Sequence, residues 1–447
     1  MTRHVTSRYF LDPFGCVKNQ VDAENIMAHL NSAGWECTTS ARSADLIIVN
    51  SCGFIESAKQ ESINAVLDWR KQFPDKKILL AGCLSQRYAK ELPGILKEAD
   101  TFVGIVDPEK IVEKANQTLD TILRKSSKPT LSKKQKKDVT LATGERPLLS
   151  LPGSAYVKIS DGCNNNCSYC AIPLIRGSLV SRTIPDIVEE CRALLARGIK
   201  ELNIVGQDIG VYGADTGTES KLPELLDAIS ALEGHFWVRL LYIHPEHFPL
   251  QILDLMERDP RFIPYFDIPF QHASTKILAA MNRGGNADKY LKLIKTIRAK
   301  LPNAVIRSTF LLGFPGETKE DFAALLDFQK KAKLDWVGCF AYSREEGTTS
   351  YSMKKQVAAK TAEERKLIIE ENQVSISEKN MDRFVGKTME LLIEEKIGDY
   401  LLGRLYCQAP DIDGMAIINN NDKIVQLGSI LQCKVTARQG FDLEVQI

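Results

Sequence analysis

The sequence predicts an α/β protein in three parts: an N-terminal parallel α/β domain, a central full or partial (β/α) barrel, and a small C-terminal all-β barrel of the OB-like kind. One pattern predicts the first two parts. Short apolar runs alternate with stretches of helical periodicity from Tyr9 to Ala341, and strand-loop-helix units of this length build parallel sheets. A second pattern predicts the last part. Past Val385 the chain switches to short alternating segments broken by polar turns such as Asn419-Asn420-Asn421-Asp422, as in a small closed barrel.

The strands and helices follow in order. Tyr9–Pro13 leads into Gly15-Cys16, and Asp22–Ala33 has helical periodicity. Asp45–Asn50 (DLIIVN) is a buried-strand run ending at Ser51-Cys52-Gly53. Glu56–Arg70 reads as a helix, and Lys77–Ala81 as a strand ending at Gly82-Cys83. Residues 124–138 carry seven Lys or Arg side chains in a polar tract, expected as a flexible linker or solvated loop, with an RNA-binding tract as the alternative. Beyond it, Tyr156–Ile159, Glu201–Val205, Trp237–Tyr242, Phe266–Ile268, Val305–Leu312 and Trp336–Ala341 are strands. Helices Ile184–Arg197, Leu222–Leu232, Thr275–Met281, Ala287–Lys300 and Lys319–Lys331 separate them. The last five strands are Met389–Ile393, Tyr400–Leu405, Met415–Ile418, Leu431–Ala437 and Asp442–Ile447. The expected division is 1–123, a basic linker at 124–146, then 147–382 and 383–447.

The chain has 447 residues and a formal net charge of +1, so overall charge gives no support for coating nucleic acid or lying on a membrane. No apolar run is long enough to span a bilayer. The first ten residues mix Arg3, His4 and Arg8 with polar side chains and lack the apolar core of a secretory signal. The expected location is the cytoplasm. Eleven cysteines, an odd number in a reducing compartment, make a poor disulfide framework.

Those cysteines differ in setting. Cys163-Asn-Asn-Asn-Cys167-Ser-Tyr-Cys170 is a CxxxCxxC spacing directly after a strand. Three thiolates this close can ligate three irons of a cubane and leave the fourth without a protein ligand. Zinc usually takes four ligands, and no nearby Cys or His completes such a set. Cys16, Cys52 and Cys83 each stand in a Gly- or Ser-containing turn after an apolar run. In parallel sheets the carboxyl ends of strands lie along one edge, where ligands bind, so these three can converge. Cys37, Cys191, Cys339, Cys407 and Cys433 lack such a setting and read as small packed thiols.

From these motifs the chain resembles the radical-SAM superfamily and, within it, the methylthiotransferases. The resemblance covers nearly the whole length: a three-cysteine N-terminal domain, a radical-SAM barrel and a C-terminal TRAM-type barrel. It rests on FGCVKNQVDAE, VNSCGFIESAKQESI, LAGCLSQRY and the CxxxCxxC loop. It implies S-adenosylmethionine bound at the open iron of the Cys163, Cys167, Cys170 cluster, and a second 4Fe–4S cluster on Cys16, Cys52 and Cys83 that carries the sulfur. All six cysteines then count as catalytic and as metal ligands. It further implies that two S-adenosylmethionine molecules are used, one as methyl donor and one as radical source, with an external electron donor. Tyr169, Gly206, Gln207, Asp208, Ser308, Gly313 and Glu317 fall in segments similar to those that surround S-adenosylmethionine in the family. Arg182 and Arg176 are candidates for its carboxylate or for the substrate, with surface ion pairing as the alternative. His244 and His272, near strand ends, are candidates for polar roles on the substrate side.

Two branches of the family compete. NSCGFIESAKQESI, FDIPFQHASTKIL and AYSREEGTTSY look more like the branch that modifies the β-carbon of an aspartate in small-subunit ribosomal protein twelve. The other branch modifies an adenosine-derived base of transfer RNA. From Val385 onward six basic side chains face nine acidic ones, a net of −3, whereas RNA-binding barrels carry a basic groove. An acidic barrel suits a basic ribosomal protein, which makes direct RNA binding by this barrel the less favoured expectation. A non-catalytic iron–sulfur scaffold docked on the ribosome is the alternative of another class.

Overall fold

The computed structural model describes residues 7–105, 108–123, 145–419 and 425–447. It divides into two compact units, one formed by Met1–Leu149 with Ala171–Ser178, the other by Ser150–Cys170 with Leu179–Ile447. Of the expected linker, residues 124–144 lie outside the described residues; Arg146 is buried within the first unit and paired with buried Glu24 at 2.8 Å.

The first unit contains β1 (Arg8–Pro13), α1 (Val17–Ser32), β2 (Glu36–Cys37), β3 (Leu46–Ser51), α2 (Glu56–Gln72), β4 (Lys77–Gly82), α3 (Cys83–Arg87), α4 (Leu92–Ile95), β5 (Thr101–Val103) and α5 (Pro108–Leu123). The short α6 (Ile172–Arg176) belongs to it as well. Its sheet runs β2-β1-β3-β4-β5, with every neighbouring pair parallel. Alternate residues of β3 serve two cores. Leu46 and Ile48 pack with Ala23, Met27 and Leu30 of α1, while Ile47 and Val49 pack with Val66 and Leu84. A sheet covered on both faces needs the unbroken apolar run that DLIIVN supplies. The strand order reverses between β1 and β3, which is where such sheets open a ligand crevice.

The second unit contains β6 (Ser154–Lys158), β7 (Ser160–Asp161), β8 (Val180–Ser181), α7 (Ile184–Ala196), β9 (Glu201–Val205), α8 (Leu222–Ser230), β10 (Trp237–Leu240), α9 (Ile252–Arg258), β11 (Phe262–Asp267), α10 (Thr275–Ala280), α11 (Ala287–Lys300), β12 (Val305–Leu312), α12 (Lys319–Ala332), β13 (Trp336–Ala341) and α13 (Ala359–Met381). Its six-stranded sheet is parallel throughout and ordered β13-β12-β11-β10-β9-β6, a partial (β/α) barrel. Beyond α13, β14 (Thr388–Ile397), β15 (Tyr400–Leu405), β16 (Ala416–Asn419), β17 (Ile430–Gln439) and β18 (Asp442–Gln446) close into a five-stranded barrel. A buried ion network ties barrel to sheet. Arg404 of β15 reaches Glu201 of β9 at 3.1 Å and Glu394 of β14 at 2.9 Å, and Arg239 of β10 reaches Glu201 at 2.8 Å.

Two elements begin a turn or more earlier than the sequence predicts. β11 starts at Phe262 rather than Phe266, because Pro264 lies where the pairing with β10 slips between Val238 and Leu240. An irregular register spares the proline a ladder hydrogen bond it cannot make. α1 starts at Val17 rather than Asp22, directly after Cys16. Between Val17 and Val21 its first turn is polar, and Lys18 and Asn19 are nonetheless buried.

Candidate iron–sulfur sites

In the first unit, Cys16 is the extended N-cap of α1, Cys52 follows β3, and Cys83 opens α3 directly after β4. Two glycines let the three segments close up. Gly15 has a φ of +93°, and a Cβ there would stand 3.0 Å from Cys52 Cβ; a Cβ on Gly53 would stand 2.7 Å from the Cys83 carbonyl oxygen. Buried Asn19 joins the turns: its Nδ2 donates to the Ser51 carbonyl at 3.2 Å, and its Oδ1 lies 3.7 Å from Cys83 Sγ. Loss of hydration is the largest influence on each thiol and opposes ionisation. At Cys16 the Lys18 ammonium and the backbone N–H of Asn19 outweigh it, and the thiol falls below its ordinary value. Cys52 is raised, and burial pushes Cys83 up to about 12 even though Arg176 acts the other way.

In the second unit, the loop between β7 and β8 starts at Gly162 and carries Cys163, Cys167 and Cys170. The end of α10 braces it. Ser168 N–H donates to the Met281 carbonyl at 2.9 Å, Ser168 Oγ to the Ala280 carbonyl at 2.8 Å, and Asn282 Nδ2 to the Asn166 carbonyl at 2.9 Å. Arg283, 6% exposed, donates to Cys167 Sγ at 3.7 Å and to the Pro269 carbonyl at 2.6 Å. Burial pushes the Cys163 thiol up to about 11. Among the described residues, the one set of three or more His, Cys, Asp or Glu ligand atoms within 4.8 Å of one another is Asp208, His244 and His247. Neither cysteine triad is gathered that tightly.

Comparison with known proteins then decides the family. Three family models match in chain order: the uncharacterized protein family UPF0004 over residues 8–104, the Radical SAM superfamily over 157–328, and the TRAM domain over 385–447. The chain is 45% identical to ribosomal protein uS12 methylthiotransferase RimO of Treponema denticola, over 97% of this chain and 99% of that one. It is 37% identical to the RimO of Thermotoga maritima, over 96% and 97% respectively. The chain belongs to the RimO family. Membership of the radical-SAM superfamily brings an iron–sulfur cluster and S-adenosylmethionine with it. Among solved structures, the radical S-adenosylmethionine methyltransferase TsrM from Kitasatospora setae, with cobalamin and a 4Fe–4S cluster bound, is similar at a TM-score of 0.55 and 15% identity over 77% of each chain. That likeness concerns the fold alone.

The other residues expected at the site of this RimO-family chain separate into two groups. Tyr169 meets Phe314, beside Gly313, edge-on at 6.5 Å between centroids. Gly206 lies where a Cβ would come 2.8 Å from Ser160 Oγ, and both amide atoms of Gln207 are buried without a hydrogen-bond partner. Of this first group, Gln207 keeps its polar atoms unpaired. The second group is already engaged. Asp208 accepts from Asn165 at 2.8 Å, His247 at 2.7 Å, and the N–H groups of Gly210 and His244. Burial alone would raise its carboxyl, but the His247 and Asn165 bonds hold it below the ordinary value. Glu317 accepts from Gly313 N–H at 2.6 Å and pairs with Arg365 at 2.6 Å, so it props the Gly313 turn. Arg182 pairs with Glu190 and donates to the Lys158 carbonyl at 2.8 Å. Ser308 Oγ accepts from Phe270 N–H at 3.0 Å. Burial depresses His244 to about 3 and His272 to about 4, so both are neutral near pH 7. Arg176 belongs to the first unit and touches Cys83. Sequence reasoning passed over Arg283, Asn165 and His247. Arg283 had a signal in the helix-ending Asn282-Arg283-Gly284-Gly285; the other two had none beyond their loops.

Among the described residues, no helix is long and apolar enough to cross a membrane.

Proposed function

We infer that this chain methylthiolates the β-carbon of an aspartate in ribosomal protein uS12, using S-adenosylmethionine and two 4Fe–4S clusters. Near full-length kinship with uS12 methylthiotransferases carries the reading. The donor sets fit it. Each unit offers three thiols at the carboxyl ends of parallel strands or in the loop just beyond, and neither set is drawn together as one zinc ion would require. Cys163, Cys167 and Cys170 would hold the radical-forming cluster, and Cys16, Cys52 and Cys83 the sulfur-carrying one. When bound, these groups and S-adenosylmethionine supply a hydrogen-abstracting radical and the transferable sulfur, chemistry that belongs to the cofactors.

The chain's own residues bind and orient. Buried polar groups are normally paired, so the orphaned Gln207 amide and Ser160 Oγ suit the amino and carboxylate groups of the methionine moiety. Asp208 holds Asn165, and through it the cluster loop, in place. Tyr169 and Phe314 form an apolar wall that limits water. On the barrel, an open groove of about 870 Å³ is lined by Ile397, Tyr400, Leu402, Ile417, Glu444 and Ile447. Glu444 is the charged side chain among those lining it, and the barrel's net charge of −3 suits a basic protein surface better than RNA. A uS12 substrate and an external low-potential electron donor place the reaction in the cytoplasm.

The test incubates the reduced, cluster-loaded protein with uS12 and separately with transfer RNA. A mass gain of one methylthio group on the uS12 aspartate is expected. A gain on the RNA alone overturns the substrate, and production of no methylthiolated species from either overturns the activity.

A further inference from the structure

Arg176 is a buried cation placed against a cysteine, and no part of the reading above uses it. Its side chain is 1% exposed. Nη2 donates to Asp22 Oδ2 at 2.7 Å and to Cys83 Sγ at 3.4 Å, all within the first unit. That one nitrogen carries two N–H groups, one for each acceptor. The helix bearing it is fastened beside the sulfur, since Ala171 and Ile175 pack with Cys83, Phe54 and Ile105. Gly177, with a φ of +73°, then turns the chain away directly after Arg176.

We propose that Arg176 is the counter-ion of the second iron–sulfur cluster, a positioning residue that stabilises the Cys83 thiolate and raises the cluster's reduction potential. The inference rests on the two-cluster reading. Buried thiolate charge is costly unless it is paired, and the reduced cluster carries one negative charge more than the oxidised one. A guanidinium cannot lose its proton in a protein, and hydrogen bonds to cluster sulfurs are among the terms that set potential. Asp22 fixes the guanidinium plane so that the second N–H meets sulfur rather than solvent. A lysine would bring charge without that fork.

The experiment uses the full-length Cys163→Ala/Cys167→Ala/Cys170→Ala protein, in which only the second cluster can load. Iron and sulfide content and a redox titration followed by electron paramagnetic resonance are compared for Arg176, Arg176→Gln and Arg176→Lys. The expected result is a cluster in all three. Its potential falls in Arg176→Gln by about 59 mV or more, a tenfold shift of the one-electron equilibrium, and Arg176→Lys recovers part of the shift. Loss of iron from Arg176→Gln but not from Arg176→Lys also supports the role, because it shows that the charge is needed. If Arg176→Gln does not fold, Arg176→Lys decides: a lowered potential supports the role and an unchanged one overturns it. A loaded cluster with unchanged potential in Arg176→Gln overturns the Arg176 inference alone. No iron in the parent triple variant overturns the two-cluster reading and the inference with it.

Discussion

Cys163, Cys167 and Cys170 come from eight consecutive residues, whereas Cys16, Cys52 and Cys83 come from the ends of three different strands. The first triad is local: one short loop carries it, braced by the end of α10 and by Asp208 through Asn165. The second is assembled by the order of a whole sheet and by two glycines that let its turns pack. Each triad nevertheless has a buried arginine donating to one of its sulfurs, Arg283 to Cys167 and Arg176 to Cys83. Two unrelated local architectures thus set a guanidinium against one sulfur of each triad, the positive partner that a ligating thiolate would need.

The sharpest way to break this comparison is to remove one ligand from each triad. Cys163→Ala is expected to abolish both 5′-deoxyadenosine formation and methylthiolation. Cys83→Ala is expected to abolish methylthiolation while 5′-deoxyadenosine still forms. Chromatography of both products from each variant checks this, and loss of 5′-deoxyadenosine in Cys83→Ala would show that the triads do not divide the labour.

The scaffold of the local triad has its own test. Arg404→Met removes the cation of Glu394 and leaves Arg239 as the cation of Glu201, so the second unit is expected to lose about 3–5 kcal/mol in a denaturant titration. Burial alone would raise the Glu201 carboxyl, but Arg404 and Arg239 hold it well below the ordinary 4.5. A depressed acid stabilises the fold fully above its unfolded value and loses that contribution as pH falls toward the native one. The wild type should therefore weaken below pH ~4.5, and Arg404→Met should show a smaller dependence in that range.

Next in size is Arg283→Met. Residues that support metal ligands typically contribute 10–100-fold, so the variant should retain its radical cluster about 10–100-fold less tightly in a chelator challenge, with second-cluster iron unaffected. An effect of comparable size is expected at Gly53→Ala. Its methyl must push the Cys83 backbone, an overpacking that costs about 1–3 kcal/mol. The first unit should unfold earlier and lose its iron, while 5′-deoxyadenosine formation persists.

How legible each site was follows from how it is built. A spacing such as CxxxCxxC places three donors by covalent geometry, so the residues alone point to a cluster. Cys16, Cys52 and Cys83 become a set only through parallel strand order and resemblance to a family, since each taken singly reads as a packed thiol. Gln207 and Asp208 are neighbours in sequence, yet one is left without partners and the other accepts four hydrogen bonds. Only packing makes that distinction. The same holds for Arg176, which sequence reasoning offered to the S-adenosylmethionine carboxylate, the substrate or an ion pair, and which lies against Asp22 and a thiol of the first unit.

The sequence by itself determined the fold class, the alternation of strands and helices, the small barrel, and the local cysteine triad, because periodicity and short spacings are properties of neighbouring residues. The tertiary structure alone decided the strand order 2-1-3-4-5 with its reversal between β1 and β3, the arginine assigned to each triad, and which polar side chains remain free for a ligand. Those depend on contacts between residues far apart in the chain, which periodicity does not encode.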